Sequence, residues 1–199
     1  MKLVLATRNE AKLVELRRIL APLLAVEVLG LADLPAYEEV PETGATFEDN
    51  ALIKAREAAR RTGLPAVADD SGLTVDALNG MPGVLSARWA GSAASDGANL
   101  RLVLEQVADV PDDRRGAAFV CAAVLVTPAG AEEVVRAEMT GTLLRAPRGT
   151  NGFGYDPVFV PAGHTVTTAE MTAAEKDAIS HRGRAFRALA PRIATTLAP

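Results

Sequence analysis

The stretch from residue 66 to residue 91 is AVADDSGLTVDALNGMPGVLSARWAG. It opens with a short apolar run, places Asp69 and Asp70 before Ser71, and continues with a second apolar segment, Leu73–Val75. Carboxylates at the end of a buried strand are held rigidly and poorly hydrated, which suits them to bind a divalent cation and orient water. Aspartate, serine and glycine are also ordinary turn formers. The stretch therefore predicts either a cation site or a turn.

Composition indicates the class of protein. A chain of 199 residues that is 49% hydrophobic and 23% charged predicts one globular domain, with or without lobes. Its single cysteine, Cys121, lies in an apolar run, which predicts a buried thiol in a reducing cytoplasm. The formal net charge of −4 has the wrong sign for a general nucleic-acid binder. No signal peptide is visible and no apolar run approaches bilayer length, so we expect no membrane partner.

Hydrophobic periodicity predicts strands that alternate with helices, followed by a long hairpin. The predicted strands are 2–6, 26–29 and 65–68, and the predicted helices are 11–20, 46–62 and 96–107. Two long segments, 116–127 and 132–144, flank Pro128-Ala129-Gly130 and predict the hairpin. Ser180 is a good N-cap for a terminal helix. The pattern indicates an α/β fold with a mixed sheet.

The junction between the first strand and the first helix has features of an anion site. Its residues are Thr7, Arg8, Asn9, Glu10, Ala11 and Lys12. Free backbone N–H groups and the helix dipole converge at such a junction, and Thr7, Asn9 and Lys12 add donors and a charge. The segment is not a Walker loop, because it lacks the glycines and the Lys-Ser/Thr ending. The alternative is a capped helix with a solvated lysine.

Further carboxylates and a lysine precede the central stretch. Glu42 and Glu48 are acids that could complete a cation site with Asp70. Lys54, on the predicted helix 46–62, could project toward the same loops, although most such lysines are solvated.

The segment RGTNGFGYDP, 148–157, interrupts the regular pattern with three glycines around two aromatics. Phe153 and Tyr155, flanking Gly154 and followed by Asp156, would form a pocket in which a flat heterocycle stacks and an acid bonds its edge. In the alternative interpretation the aromatics plug the core beneath a turn.

The last polar cluster lies at the start of the terminal helix. His181 and Arg182 would occupy its first turn, shortly after Lys176. Positive charge there opposes the helix dipole and requires a compensating anion or carbonyl. A lone histidine is often structural, so both a structural role and a site stay open for His181.

These segments together resemble the inosine triphosphate pyrophosphatase family, also called Ham1-like, and they span nearly the whole chain. Arg8 stands where the family usually has glycine. The matching motifs are Thr7–Lys12, Glu42-Thr43-Gly44 with Thr46-Phe47-Glu48, Ala68-Asp69-Asp70-Ser71-Gly72-Leu73, Pro82-Gly83 with Ser86-Ala87-Arg88, Gly152-Phe153-Gly154-Tyr155-Asp156-Pro157, and Glu175-Lys176 with Ser180-His181-Arg182-Gly183.

The resemblance implies an elongated α/β fold with a long mixed sheet, two lobes around a nucleotide cleft, and a homodimer. It implies Mg²⁺-dependent hydrolysis of ITP, dITP and XTP to the monophosphate and pyrophosphate. Asp70 would be the catalytic base and, with Glu42, a metal ligand. The substrate-binding residues would be Thr7, Arg8, Asn9, Glu10, Ala11, Lys12, Ser71, Phe153, Gly154, Tyr155, Asp156, Lys176, His181 and Arg182. Asp69, Glu48 and Lys54 would have supporting roles.

Selectivity should depend on the purine 6 position. A donor such as the Arg182 guanidinium or a backbone N–H can form a hydrogen bond to the 6-oxo group. Facing a 6-amino group, it would leave both groups unpaired, and each buried unpaired group costs about 1–3 kcal/mol.

Two rival hypotheses are a Maf-like pyrophosphatase acting on other nucleotides and a nucleotide-binding module without catalysis. The Phe153–Asp156 and Ser180–Gly183 motifs argue against the first. Pyrophosphate release would discriminate the second.

Overall fold

The computed structural model describes residues 2–38 and 40–197 and has alternating strands and helices before a long hairpin. The strands are β1 (Lys2–Leu5), β2 (Glu27–Gly30), β3 (Ala66–Val75), β4 (Gly116–Val126), β5 (Glu132–Leu143) and β6 (Phe159–Pro161). The helices are α1 (Glu10–Leu20), α2 (Phe47–Thr62), α3 (Asp96–Gln106), α4 (Ala173–Ile179) and α5 (His181–Thr196). Short 3-10 turns lie between several of them. The periodicity predicted most elements within a few residues, but not α4 or β6.

The six strands form one mixed sheet in the order β2-β1-β3-β4-β5-β6. The strand β1 pairs in parallel with both β2 and β3, whereas β5 pairs antiparallel with β6. The consecutive strands β4 and β5 are neighbours, as expected of the predicted hairpin. The predicted α/β class with a mixed sheet is confirmed.

The central stretch contains one long strand where the sequence suggested two short segments separated by a turn. The strand β3 runs without interruption from Ala66 to Val75 and includes Asp69, Asp70, Ser71 and Gly72. Aspartate, serine and glycine are poor strand formers on their own, but the pairing of β3 with neighbouring strands of the sheet overrides that local preference. The turn alternative is therefore wrong for these residues.

Local signals explain where the helices begin and end. The side chain of Asn9 accepts a hydrogen bond from Lys12 N at the start of α1. Thr46 and Asp49 form a capping box at the start of α2, and Gly63 ends this helix with a positive φ of 66°, which glycine adopts without strain. Ser180 lies between α4 and α5, immediately before the predicted terminal helix.

The chain divides into two compact units, and the single domain, with or without lobes, stays a prediction. Unit 1 comprises Met1–Asp70, Cys121–Ala137 and Arg182–Pro199, and unit 2 comprises Ser71–Val120 and Glu138–His181. Each unit has its own apolar core. In unit 1, α1 and α5 pack around residues such as Leu5, Val67 and Phe186, and Cys121 is buried there as predicted. In unit 2, α3 packs with residues such as Leu73 and Phe159.

Over residues 2–38 and 40–197, we find no helix with the length and apolar character needed to cross a bilayer.

The pairing of β5 with β6 requires a residue without a side chain at Gly141. This residue pairs with Pro161, and a Cβ atom there would collide with Val160 O and lie 2.7 Å from Phe159 Cζ. We expect Gly141→Ala to lower the free energy of unfolding by about 1–3 kcal/mol through overpacking. Urea denaturation measures the change.

The matched control is Gly97→Ala in α3, where the nearest atom to a new Cβ would be Arg101 Nη1 at 3.5 Å. Because alanine favours a helix over glycine by about 1 kcal/mol, this variant should be equally or more stable. Equal stability of both variants would contradict the close approach at Gly141.

Candidate functional site

The two acids of β3 have different surroundings. Side chains alternate across a strand, so Asp69 and Asp70 point to opposite faces of the sheet. Both are buried, with exposed fractions of 2% and 7%. A buried carboxylate is stable only with cationic or hydrogen-bonding partners, and each aspartate has its own set.

Asp70 faces helix α2 and the loop that precedes it. Asn50 Nδ2 donates to Asp70 Oδ2 at 3.1 Å, and Lys54 Nζ lies 3.6 Å from Asp70 Oδ1. Lys54 Nζ also contacts Glu42 Oε1 at 2.9 Å. An ammonium group therefore bridges the two carboxylates that the sequence proposed as metal ligands. We name Glu42, Asn50, Lys54 and Asp70 the acidic cluster.

Burial and charge shift the pKa values within the acidic cluster. Burial raises the pKa of Asp70 above its ordinary value, and the opposing charges of Lys54 and Lys12 do not cancel this rise. Burial lowers the pKa of Lys54, but the nearby carboxylates of Asp70, Asp69 and Glu42 reverse that effect and leave it raised. Lys54 therefore stays protonated at neutral pH. Asp70 is a better proton acceptor than an exposed aspartate.

Asp69 faces α1 and α5. Its Oδ2 lies 3.2 Å from Lys12 Nζ and accepts a hydrogen bond of 3.3 Å from Arg182 Nε. Arg182 also donates through Nη1 to Glu15 Oε2 at 2.7 Å. Burial lowers the pKa of Arg182, and the charges of Glu15 and Asp69 more than offset this, so the pKa is raised. Glu15 and Asp69 thus both supply the compensating negative charge that a cation in the first turn of α5 requires.

The segment Thr7–Lys12 forms the predicted junction between β1 and α1. Thr7 Oγ1 accepts a hydrogen bond from Asn9 N, and Asn9 Oδ1 accepts one from Lys12 N. Asn9, Glu10 and Ala11 are exposed. Arg8 donates through Nη2 to Tyr37 O at 2.6 Å, and its guanidinium lies 5.9 Å from the Tyr37 ring centroid. The observed helix cap agrees both with an anion site and with a capped helix that has a solvated lysine.

In unit 2, the glycine-rich loop and α4 bring together three predicted residues. Lys176 Nζ donates to Asp156 Oδ2 and lies 5.2 Å from the centroid of the Phe153 ring. Asp156 is 2% exposed and also accepts hydrogen bonds from Phe153 N and Thr168 Oγ1. Asp156 therefore organises the loop and Lys176. The sequence had instead predicted that this carboxylate bonds the edge of a base.

Tyr155, which was predicted to line a pocket, belongs to the core of unit 2. Tyr155 is 5% exposed and donates its hydroxyl hydrogen to Ser86 O at 2.8 Å, and burial raises its pKa. The alternative that an aromatic plugs the core therefore describes Tyr155. Gly154 N donates to Asp96 Oδ2, which anchors the loop to α3. The ring of His181 stacks on Phe119 with centroids 5.0 Å apart.

The structure does not bring every predicted residue to the acidic cluster. Glu48 pairs with Arg136 on β5 at 3.3 Å, and its supporting role beside Asp70 stays a prediction. Arg182 is 2% exposed, and the carboxylates of Asp69 and Glu15 accept hydrogen bonds from its guanidinium group. Its Nε and Nη1 atoms are therefore engaged by Asp69 and Glu15. Ser71 lies in β3, directly after Asp70.

Sequence reasoning missed two residues of these networks. Asn50 is 0% exposed and Glu15 is 5% exposed. Each is a polar residue within the apolar stripe of an amphipathic helix, next to Ala51 in α2 and next to Leu16 in α1. A polar side chain on the packed face of a helix needs a buried partner, and that signal could have identified both.

The donor set of the acidic cluster fits Mg²⁺. This ion binds one or two carboxylates and keeps several water molecules, and Glu42 and Asp70 already face a shared ammonium group. Among the residues that the structure describes, no group of three or more histidine, cysteine, aspartate and glutamate side chains is arranged for a metal.

The mixed sheet and the acidic cluster define an α/β protein with a buried site for positive charge. The Ham1 family profile matches residues 3–192. A dITP/XTP pyrophosphatase of Nocardia farcinica is 62% identical over 195 residues, which cover 97% of this chain and 95% of that protein. A dITP/XTP pyrophosphatase of Frankia alni is 65% identical over 196 residues, which cover 96% of this chain and 96% of that protein. The chain belongs to the Ham1 family.

Solved structures show the same fold. The crystal structure of a nucleoside-triphosphatase, or dITP/XTP pyrophosphatase, from Mycobacterium abscessus matches with a TM-score of 0.79 and 62% identity, covering 96% of this chain and 100% of that one. A HAM1 protein from Coxiella burnetii matches with a TM-score of 0.88 and 42% identity, covering 98% and 99%. These similarities confirm the Ham1-like α/β architecture.

Removal of the Arg182 charge should destabilise the protein. Arg182→Met would remove the cation that pairs with Glu15 and leave Asp69 with Lys12 alone, at a cost of about 3–5 kcal/mol in the free energy of unfolding. Urea denaturation followed by circular dichroism measures this change.

Arg192→Met on the same helix is the control, because Arg192 forms an ion pair with Glu133 while its side chain is 50% exposed. That exposed pair should contribute less than about 1 kcal/mol. Similar losses in the two variants would show that the buried network contributes little to folding.

Proposed function

We propose that the protein hydrolyses dITP, XTP and ITP to the nucleoside monophosphate and pyrophosphate, and so removes non-standard purine nucleotides. The observation that carries the proposal is Asp70, a buried carboxylate of raised pKa beside Lys54 and Glu42. The substrate class follows from the names of the Nocardia farcinica and Frankia alni relatives. A perturbed carboxyl with charge partners favours catalysis over simple ligand binding.

Glu42 and Asp70 would hold Mg²⁺ in this proposal. The position between them already attracts the Lys54 ammonium group, so it favours positive charge. When bound, Mg²⁺ supplies neutralisation of phosphate charge and polarisation of phosphate oxygens.

The protein's own groups would position the reactants. Asp70 accepts a proton from the attacking water, whose oxygen forms a bond to the α-phosphorus in line with the leaving pyrophosphate. The bond between the α-phosphorus and the bridging oxygen then breaks. Lys54 and Lys12 offset the negative charge of the phosphates, and Thr7 and Asn9 provide hydrogen-bonding groups at the start of α1. Arg8, Glu10, Ala11 and Ser71 stay predicted substrate contacts.

Base recognition is proposed for unit 2. The Phe153 ring offers a stacking surface, and Asp156 holds the Lys176 ammonium group beside it. This ammonium group has three N–H donors, so it can donate a hydrogen bond to a purine 6-oxo group. A 6-amino group is itself a donor and would be disfavoured at the same position. Lys176 replaces the Arg182 guanidinium as the expected reader of that position. His181 and Arg182 stay predicted substrate residues on the strength of the resemblance.

The remaining partner and location hypotheses follow from composition and from the resemblance. Homodimer formation, a cytoplasmic location and the lack of a nucleic-acid partner stay predictions.

Pyrophosphate release tests the proposed activity directly. The purified protein with Mg²⁺ should release pyrophosphate from dITP, XTP and ITP with higher kcat/KM than from ATP or GTP. Binding of these nucleotides without release would favour the non-catalytic module. Equal kcat/KM for all five would contradict the substrate class.

Loss of the Asp70 carboxylate should abolish most turnover. We expect Asp70→Asn to lower kcat by at least about 100-fold, because general base catalysis contributes about 10²- to 10⁴-fold. Steady-state pyrophosphate release with dITP measures kcat, and circular dichroism should show an intact fold.

Asp76→Asn is the matched control, since Asp76 directly follows β3 and is exposed. It should keep kcat within about twofold of the original protein, as expected for a group outside the reaction. Near-normal kcat in Asp70→Asn would remove Asp70 from the proposed mechanism.

A further inference from the structure

Asn50 joins the two halves of the acidic cluster. Its Oδ1 accepts a hydrogen bond from Gly44 N at 2.8 Å, and its Nδ2 donates to Asp70 Oδ2 at 3.1 Å. Gly44 follows Glu42 by two residues, so one fully buried side chain connects the backbone of the Glu42 loop to the carboxylate of Asp70. Both amide ends of Asn50 are used.

Lys54 makes a parallel connection one helical turn later. It contacts Glu42 Oε1 and faces Asp70 Oδ1, whereas Asn50 holds Asp70 Oδ2. Residues four apart on a helix lie on one face, so α2 presents both side chains to Asp70 and to the loop that contains Glu42 and Gly44. The loop also packs closely on Asn50, because a Cβ at Gly44 would lie 2.8 Å from Asn50 Oδ1.

We propose that Asn50 is a positioning residue for the reaction. By holding Asp70 Oδ2 and Gly44 N–H together, it sets the separation of Asp70 from Glu42 and turns Asp70 Oδ1 toward the cation position. Lys54 can exchange its contacts when a cation and phosphates bind, whereas Asn50 keeps the carboxylate oriented. This role rests on the proposed function, since it assigns the oxygen that acts in it.

A second buried asparagine provides a matched comparison. Asn99 in α3 is 2% exposed, accepts a hydrogen bond from Ala90 N at 2.7 Å, and donates to Ala87 O at 3.1 Å. Its bonding pattern matches that of Asn50, except that a backbone carbonyl replaces the Asp70 carboxylate. Substitution of either residue removes two hydrogen bonds of a buried side chain, but only Asn50 bonds to the Asp70 carboxylate.

The experiment compares Asn50→Leu with Asn99→Leu in the full chain. Leucine resembles asparagine in shape, is somewhat larger, and makes neither hydrogen bond. We expect Asn50→Leu to lower kcat for dITP by about 10- to 100-fold, as loss of an orienting partner does. KM should stay within about threefold, because Asn50 does not contact substrate. Asn99→Leu should keep kcat within about twofold.

Direct metal binding supplies a second measurement that does not require turnover. Titration with Mn²⁺, followed by its electron paramagnetic resonance signal, should show a dissociation constant weaker by about 10-fold or more in Asn50→Leu. The constant for Asn99→Leu should equal that of the original protein. If Asn50→Leu does not fold, Asn50→Ser, which avoids extra apolar volume, undergoes both measurements with Asn99→Ser.

The outcomes separate this proposal from the proposed function. Unchanged kcat and Mn²⁺ affinity in the folded Asn50 variants would overturn the positioning role, as would equal losses in the Asn99 variants. If the original protein releases no pyrophosphate, the proposed function fails. The Mn²⁺ titrations then still decide whether Asn50 orients the cation ligands.

Discussion

The arrangement of charge in unit 1 depends on the continuity of β3 through Asp69 and Asp70. A strand alternates its side chains, so two adjacent acids cannot share one environment. Asp69 enters the layer formed by α1 and α5, and Asp70 meets α2 and its preceding loop. A turn at the same residues would have allowed both carboxylates to face solvent. The strand therefore gives the two acids separate sets of partners.

Each of these acids is compensated in a different way. Asp69 has Lys12 and the deeply buried Arg182, whose other partner is Glu15. Such a network stabilises the fold only while every member is present, since one missing partner leaves an uncompensated buried charge. Asp70 has an asparagine and a partly accessible lysine. Its partial compensation leaves its pKa raised, and this favours proton transfer over a purely structural ion pair.

Local sequence signals predicted the elements better than their contacts. The apolar periodicity placed the helices within a few residues of their observed bounds, and the caps that the structure shows at Asn9, Thr46 and Gly63 explain those bounds. The continuous β3 was missed because Asp, Ser and Gly favour turns locally, and pairing with neighbouring strands is a non-local effect. The acids Asp70 and Glu42 and the cation Lys54 were predicted together, whereas the Arg136 partner of Glu48 and the buried Asn50 were missed.

The sequence by itself determined the α/β class, the family motifs and the kinds of groups available for chemistry. These are properties of residue type, order and short-range spacing. Only the tertiary structure decided that Arg182 is a buried partner of Glu15 and Asp69, that Tyr155 belongs to the core, and that Asn50 links Gly44 to Asp70. These assignments join residues far apart in the chain, and their side chains lose water only when helices pack on the sheet. Burial then selects which charges must pair.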